Sequence, residues 1–161
     1  MSTALGPYDG RLRDVVQALK YGARSTIAKH LARRMRTSGA AALEGADAVV
    51  PVPLHRSRER RRGFNQAREL GRHLGLPLRD VLVRTRRTGV QADLPAAKRH
   101  ENVRGAFAMR TAEAPVKDLI VVLIDDVSTT GATLNACAAV LLDAGAAEVR
   151  ALTAARALIG R

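Results

Sequence analysis

The segment from residue 121 to residue 134, VVLIDDVSTTGATL, constrains this chain more than any other stretch. The run Leu119 to Ile124 is apolar, rich in β-branched residues and unbroken by polar ones, which predicts a strand buried on both faces of a parallel sheet. Asp125 and Asp126 then stand at its carboxyl end. In open α/β sheets that edge is where ligands bind, because the loops and helix N-termini that follow the strands converge there.

The next residues, Ser128-Thr129-Thr130-Gly131-Ala132-Thr133, bring hydroxyls and backbone N–H groups to the start of a helix that Leu134, Ala138, Leu141 and Leu142 continue. Such a turn is a phosphate cradle. First-turn N–H groups and the helix dipole both favour an anion, and Gly131 lets the backbone approach it without a Cβ in the way. An ordinary Ser/Thr helix cap would not need three threonines around a glycine. Two adjacent carboxylates by a buried strand repel each other and lose solvation unless something binds them. A ribose 5-phosphate satisfies both halves: Asp125 and Asp126 accept from its 2′ and 3′ hydroxyls while the turn holds the 5′ end.

Here the chain resembles the type I phosphoribosyltransferases, in which two adjacent acidic residues precede a T-x-G-x-T-like loop. Two further blocks, PVPLHRSRERRRGFNQA (Pro51 to Ala67) and QADLPAAKRHENVRGAF (Gln91 to Phe107), resemble the ComF/GntX-like branch associated with DNA uptake in competent bacteria. A weaker likeness is LKYGAR, Leu19 to Arg24, after Tyr8. The resemblance runs from about Tyr8 to Arg156 and implies a single phosphoribosyltransferase-like domain over residues 1–161. Its fold would be α/β, with a mostly parallel central sheet flanked by helices and a flexible hood loop. Members of the branch commonly begin with a zinc ribbon carrying paired C-x-x-C motifs. With Cys137 as the only cysteine, this sequence is expected to lack that ribbon, either because it was never present or because the start lies elsewhere.

The same resemblance assigns expected roles. The substrate would be 5-phosphoribosyl-1-diphosphate (PRPP) with Mg2+, the ion touching mainly substrate oxygens and meeting Asp125 or Asp126 through water, with no direct protein ligand. The turn Pro53-Leu54-His55-Arg56 would be the diphosphate loop, often strained by a cis peptide, with Arg56, Arg62, Asn65 and Gln66 as contacts. A hood from about Thr85 to Gly105 would close over PRPP, with Arg86, Gln91, Arg99 and Asn102 at the matching positions and Arg99 joining Asp125 and Asp126 in catalysis. Leu94, Val103 and Phe107 would anchor it. An unidentified nitrogen nucleophile would be the acceptor, and a dimer is implied. In purine-salvage relatives an acidic residue stands where Thr129 stands here, so a standard salvage role is not expected. The alternative to catalysis is a PRPP-sensing module, or one that binds DNA or a competence-protein partner.

Composition bounds the partners. Net charge is +12, and of the 27 basic residues only Lys20, Lys29, Lys98 and Lys117 are lysines. Arginine pairs bidentately with phosphate oxygens, so diphosphate and nucleic-acid backbones are equally served. The aromatics are Tyr8, Tyr21, Phe64 and Phe107, too sparse for base stacking to be the main binding mode. Arginines that solvate surface helices are the plainer reading, preferred for Arg58, Arg60 and Arg61 individually, and His55 reads as a hydrogen-bonding partner rather than an acid or base. The lone Cys137, in an apolar helical stretch, reads as a core residue of a cytoplasmic protein, and no apolar run is long enough to span a bilayer.

Along the chain, Leu12, Val15, Val16 and Leu19 predict a helix halted near Gly22. Ser25 or Thr26 is expected to cap the next, with Ile27, Leu31 and Met35 as its stripe and Ser38-Gly39 as its end. Strands are expected at Ala48 to Val52, Arg79 to Arg84 and Glu148 to Thr153, and a helix over Asn65 to Leu74. Rival enzyme classes fit poorly. A dehalogenase-type phosphatase needs D-x-D where Asp126 is followed by Val127-Ser128, a receiver domain would place its acidic pair after the first strand, and neither G-x-x-x-x-G-K-[ST] nor G-x-G-x-x-G occurs.

Overall fold

The computed structural model describes residues 2–21, 24–86, 105–111 and 115–157. Its strands are β1 (Ser2–Ala4), β2 (Ala48–Pro51), β3 (Leu82–Arg84), β4 (Phe107–Met109), β5 (Ile120–Ser128) and β6 (Glu148–Arg156). The helices are α1 (Gly10–Tyr21), α2 (Arg24–Ser38), α3 (Ala40–Leu43), α4 (Arg56–Arg62), α5 (Gln66–Gly71) and α6 (Ala132–Asp143). Four strands form one sheet in the order β1-β6-β5-β2, every pairing parallel. Among the described residues no helix is long and apolar enough to cross a membrane.

The sheet is parallel because its strands can be buried on both faces, and β5 shows this most clearly. Val121 and Leu123 point into one core with Val50, Leu82, Phe107 and Leu141, which belongs to α6 and the β3–β4 side. Val122 and Ile124 point into a second core with Val16, Leu19, Met35, Leu70 and Leu152, closed by α1, α2 and α5. All four β5 residues are fully buried. Burying side chains of this size contributes about 1.5–3 kcal/mol each, so a strand with two apolar faces is stable only in this sandwiched position.

Several expectations shift on contact with the structure. β3 covers only the last three residues of the expected Arg79 to Arg84 strand and pairs antiparallel with β4, outside the main sheet. β1 and α3 were not anticipated; Ser2–Ala4 is too short and polar to show a period, yet it adds an edge to β6. Ser25 and Thr26 lie inside α2, which already begins at Arg24, so neither caps it. α5 is shorter than Asn65 to Leu74, although Ala67, Leu70 and Leu74 are all buried as their spacing predicts. β6 runs past Thr153 to Arg156 because Val127 and Ser128 of β5 continue to pair with Ala155 and Arg156.

Candidate functional site

The carboxylates occupy the end of β5, inside the strand rather than beyond it, since pairing continues to Ser128. Each is gripped locally by the chain. Asp126 N–H donates to Asp125 Oδ1 at 2.8 Å and Val127 N–H donates to Asp126 Oδ1 at 2.8 Å. Burial, the charge of Asp126 and a carboxyl–carboxyl hydrogen bond, in that order, push the Asp125 carboxyl well above the usual range, opposed by the Asp126 N–H bond and then by Lys20. Two acids this close cannot both ionise cheaply. The second acid has a counter-ion: Lys20 Nζ, from the last turn of α1, lies 3.4 Å from Asp126 Oδ2.

The turn after β5 opens α6. Gly131 holds φ +78°, a left-handed conformation that costs other residues strain, and no heavy atom lies within 4 Å of where its Cβ would be. Within the chain, then, backbone conformation rather than crowding calls for glycine. Thr130 Oγ1 accepts from Ala132 N–H at 3.4 Å, a weak local cap, while Gly131 itself contributes no capping side chain. Ser128, Thr129, Thr130 and Gly131 line a cavity of about 440 Å3, together with residues that include Leu134 and Arg156. Ala132 is buried and Thr133 half-buried beside them.

The Pro53-Leu54-His55-Arg56 turn follows β2, the neighbour of β5, and is held by a clamp. Asn65 caps α5 by accepting from Ala67 N–H at 2.9 Å and Arg68 N–H at 3.4 Å, and its Nδ2 donates to the Val52 carbonyl at 3.0 Å. Asn65 is thus spent on the backbone. Gln66 Oε1 accepts from Arg62 at 3.0 Å, which turns that arginine back toward α5. His55 caps α4, its Nδ1 accepting from Ser57 N–H at 3.3 Å. The described residues contain no cis peptide bond, so the cis peptide that the resemblance implied for this turn is not found there.

Between α4 and the β3–β4 pair lies a cleft of about 590 Å3, bounded by His55, Arg56 and Arg60 on one side and by Arg84, Thr85 and Arg110 on the other. No carboxylate lines it among the described residues. Arg60, exposed as its solvated reading expects, also lines this cleft. Arg110 is fixed by Asp80 at 3.2 Å, and Asp80 is paired again by Arg68, which also meets Glu59 of α4 at 2.9 Å. This relay of charges holds the two walls together.

Three residues near the carboxylates gave little signal in the sequence. Lys20 sits in the LKYGAR likeness, to which no role attached. Arg84, the last residue of β3, faces Phe107 across the pair with its guanidinium carbon 5.3 Å from the ring centroid. Burial and the charge of Arg58 lower its pKa, while Cys137 and Asp125 act in the opposite direction. Thr153 stands opposite Asp125 in the β5–β6 register, 1% exposed, its hydroxyl without a hydrogen-bond partner among the described residues. Of the expected hood residues, Arg86 is described and exposed; Gln91, Arg99 and Asn102, with Leu94 and Val103, lie outside the described residues. Phe107 is buried in β4.

Comparison with known proteins decides the family. A phosphoribosyl transferase domain model matches residues 25–161. The chain belongs to that family, in its ComF-like branch. Competence protein F of Haemophilus influenzae is 33% identical over 95% of this chain and 71% of its own length. The DNA utilization protein YhgH of Escherichia coli K12 is 37% identical over 94% and 70%. Competence protein ComFC of Bacillus subtilis is 36% identical over 67% of this chain and 44% of its own. The solved structure of an allosteric regulatory enzyme of purine biosynthesis aligns with a TM-score of 0.52 at 22% identity, covering 86% of this chain and 30% of that one, a likeness of fold. The phosphoribosyltransferase fold accounts for the parallel sheet flanked by helices.

Proposed function

We propose that this ComF-like chain binds PRPP and transfers its phosphoribosyl group to a nitrogen nucleophile, in a setting linked to DNA uptake. The observation that carries the reading is the adjacency of the Asp125/Asp126 pair to the Ser128-to-Thr133 turn at one sheet edge. The carboxylates accept from the sugar diol, and the turn receives the 5′-phosphate. His55, Arg56 and Arg60, with Arg84 across the cleft, receive the diphosphate. In the reaction the bond from the anomeric carbon to the diphosphate oxygen breaks with its electron pair leaving on oxygen. Positive charge grows on the ring, and a C–N bond forms as the nucleophile gives up a proton to solvent. The chain's contribution is positional and electrostatic, carboxylates facing the ring and guanidinium groups facing the leaving group.

The donor set fits Mg2+. Asp125 and Asp126 offer the hard oxygens it prefers. Bound with PRPP, the ion would supply neutralisation of the diphosphate charge. The link to DNA uptake rests on the names of the relatives, a competence protein and a DNA utilization protein, and on the charge of +12.

A second reading, PRPP binding without turnover, draws on one observation: among the described residues no carboxylate lines the cavity or the cleft to take the nucleophile's proton in place of solvent. Calorimetric titration with Mg·PRPP and measurement of diphosphate release on the same sample, over a panel of nitrogen nucleophiles, separates the two. Binding with release supports transfer, and binding without release supports the module. No binding at all sinks both.

A further inference from the structure

We propose that Lys20 is a positioning residue of the sugar site, holding the Asp126 carboxylate in the orientation in which it meets the ribose diol. The inference rests on the PRPP reading above. Lys20 belongs to α1, a helix anchored by Val16 and Leu19, both fully buried in the core that also contains Ile124 of β5. That anchorage brings the end of α1 to the end of β5. The ammonium lies 3.4 Å from Asp126 Oδ2, and the two side chains are only 15% and 17% exposed. At that exposure a pair is far less screened than an ion pair on the surface.

The geometry restrains both oxygens of Asp126. Oδ1 accepts from Val127 N–H at 2.8 Å and Oδ2 faces the ammonium, so the carboxylate plane is set from the strand on one side and from α1 on the other. Asp125 has a backbone donor, Asp126 N–H, on one oxygen. Removing the Lys20 charge would leave Asp126 beside a second acid with no cation paired to it among the described residues, its Oδ2 free to rotate out of the plane that Val127 N–H and the ammonium set. Charge-assisted contacts with hydroxyl donors depend on that orientation. A lysine in the last turn of a helix also favours the helix dipole, so a purely structural role is the competing explanation.

The test compares wild type, Lys20→Met and Lys20→Arg by calorimetric titration with Mg·PRPP, alongside thermal melts of the unliganded proteins. Lys20→Met keeps the apolar stem and removes the charge, and Lys20→Arg restores the charge. The expected result is affinity about 10- to 100-fold weaker in Lys20→Met, the size of one charged hydrogen bond. Recovery is expected in Lys20→Arg, with melting temperatures that do not track affinity. Wild-type affinity in Lys20→Met overturns the proposal. So does equal loss in both variants in step with lowered melting temperature, which marks Lys20 as a structural tie. If the wild type itself fails to bind Mg·PRPP, the sugar-site reading falls and takes this proposal with it, an outcome distinct from a failure confined to Lys20.

Discussion

Asn65 Nδ2 donates to the Val52 carbonyl at 3.0 Å, tying the start of α5 to the residue that immediately precedes the Pro53-to-Arg56 turn. The same side chain accepts from the first N–H groups of α5, so one buried amide sets both the helix start and the path of the loop. Asn65→Ala is predicted to destabilise the protein by about 2–4 kcal/mol, a lost cap together with a buried carbonyl left without its donor. Asn65→Asp keeps the cap but faces the Val52 carbonyl with a second acceptor in place of the donor, in a buried site. Denaturant unfolding at neutral pH should place it below wild type; an Asp variant that matches wild type would mean that the Val52 contact contributes nothing.

Gly131 bears on both folding and the anion site. At φ +78° an alanine would be strained by roughly 1–2 kcal/mol, although nothing in the chain lies near enough to collide with its methyl group. Gly131→Ala should therefore fold, with a modestly lowered melting temperature. If the turn receives the 5′-phosphate, that methyl projects where the ligand approaches, and affinity for Mg·PRPP should fall by more than the stability loss implies. Undiminished affinity would detach Gly131 from the ligand.

What the sequence disclosed depended on how local its signal was. β5 was legible because a strand buried on both faces leaves an unbroken apolar run, and α6 because a threonine-rich turn announces its start. β1 was not, since three small residues at a sheet edge are held by backbone pairing with β6 rather than by any pattern of their own. The β3–β4 pair was half seen, because its register joins residues more than twenty positions apart. At the site, Asp125, Asp126 and the turn are contiguous and stood out together. Lys20 and Thr153 are brought to them only by tertiary packing, from α1 and β6; the LKYGAR likeness around Lys20 carried no role, and nothing marked Thr153. Asn65 stood out in the sequence as a candidate contact, and its structural role, an amide tied to Val52 and the α5 N-terminus, shows only in the fold.

Cys137 is fully buried in α6, and burial together with the nearby Asp125 charge pushes its thiol far above its ordinary value. Reactivity follows the thiolate, so this sulfur should be inert in the folded protein. A chromogenic disulfide reagent at pH 8 is expected to leave native protein unlabelled and to label one thiol per chain after denaturation. Rapid labelling of the native state would show that α6 opens readily, and would place the thiol in contact with solvent close to the carboxylate pair.

The raised Asp125 carboxyl predicts two pH dependences. Its folded-state value lies above that of the unfolded chain, so the native state holds a proton that the unfolded state has released. The stabilisation this gives is complete below the unfolded value, about 3.9, and is lost as pH rises through the folded value. Asp125→Asn, which cannot ionise, should therefore gain melting temperature over wild type progressively from acid to neutral pH. Ligand binding should run the other way. A sugar diol asks Asp125 to accept, which favours the ionised form, so Mg·PRPP binding should expel a proton and tighten as pH rises toward the free protein's value. Titrations in buffers of different ionisation enthalpy read that proton directly. In Asp125→Asn the proton release should vanish and affinity should drop, even though the unliganded protein is more stable; if the variant binds as tightly as wild type with the same proton count, Asp125 does not hold the sugar.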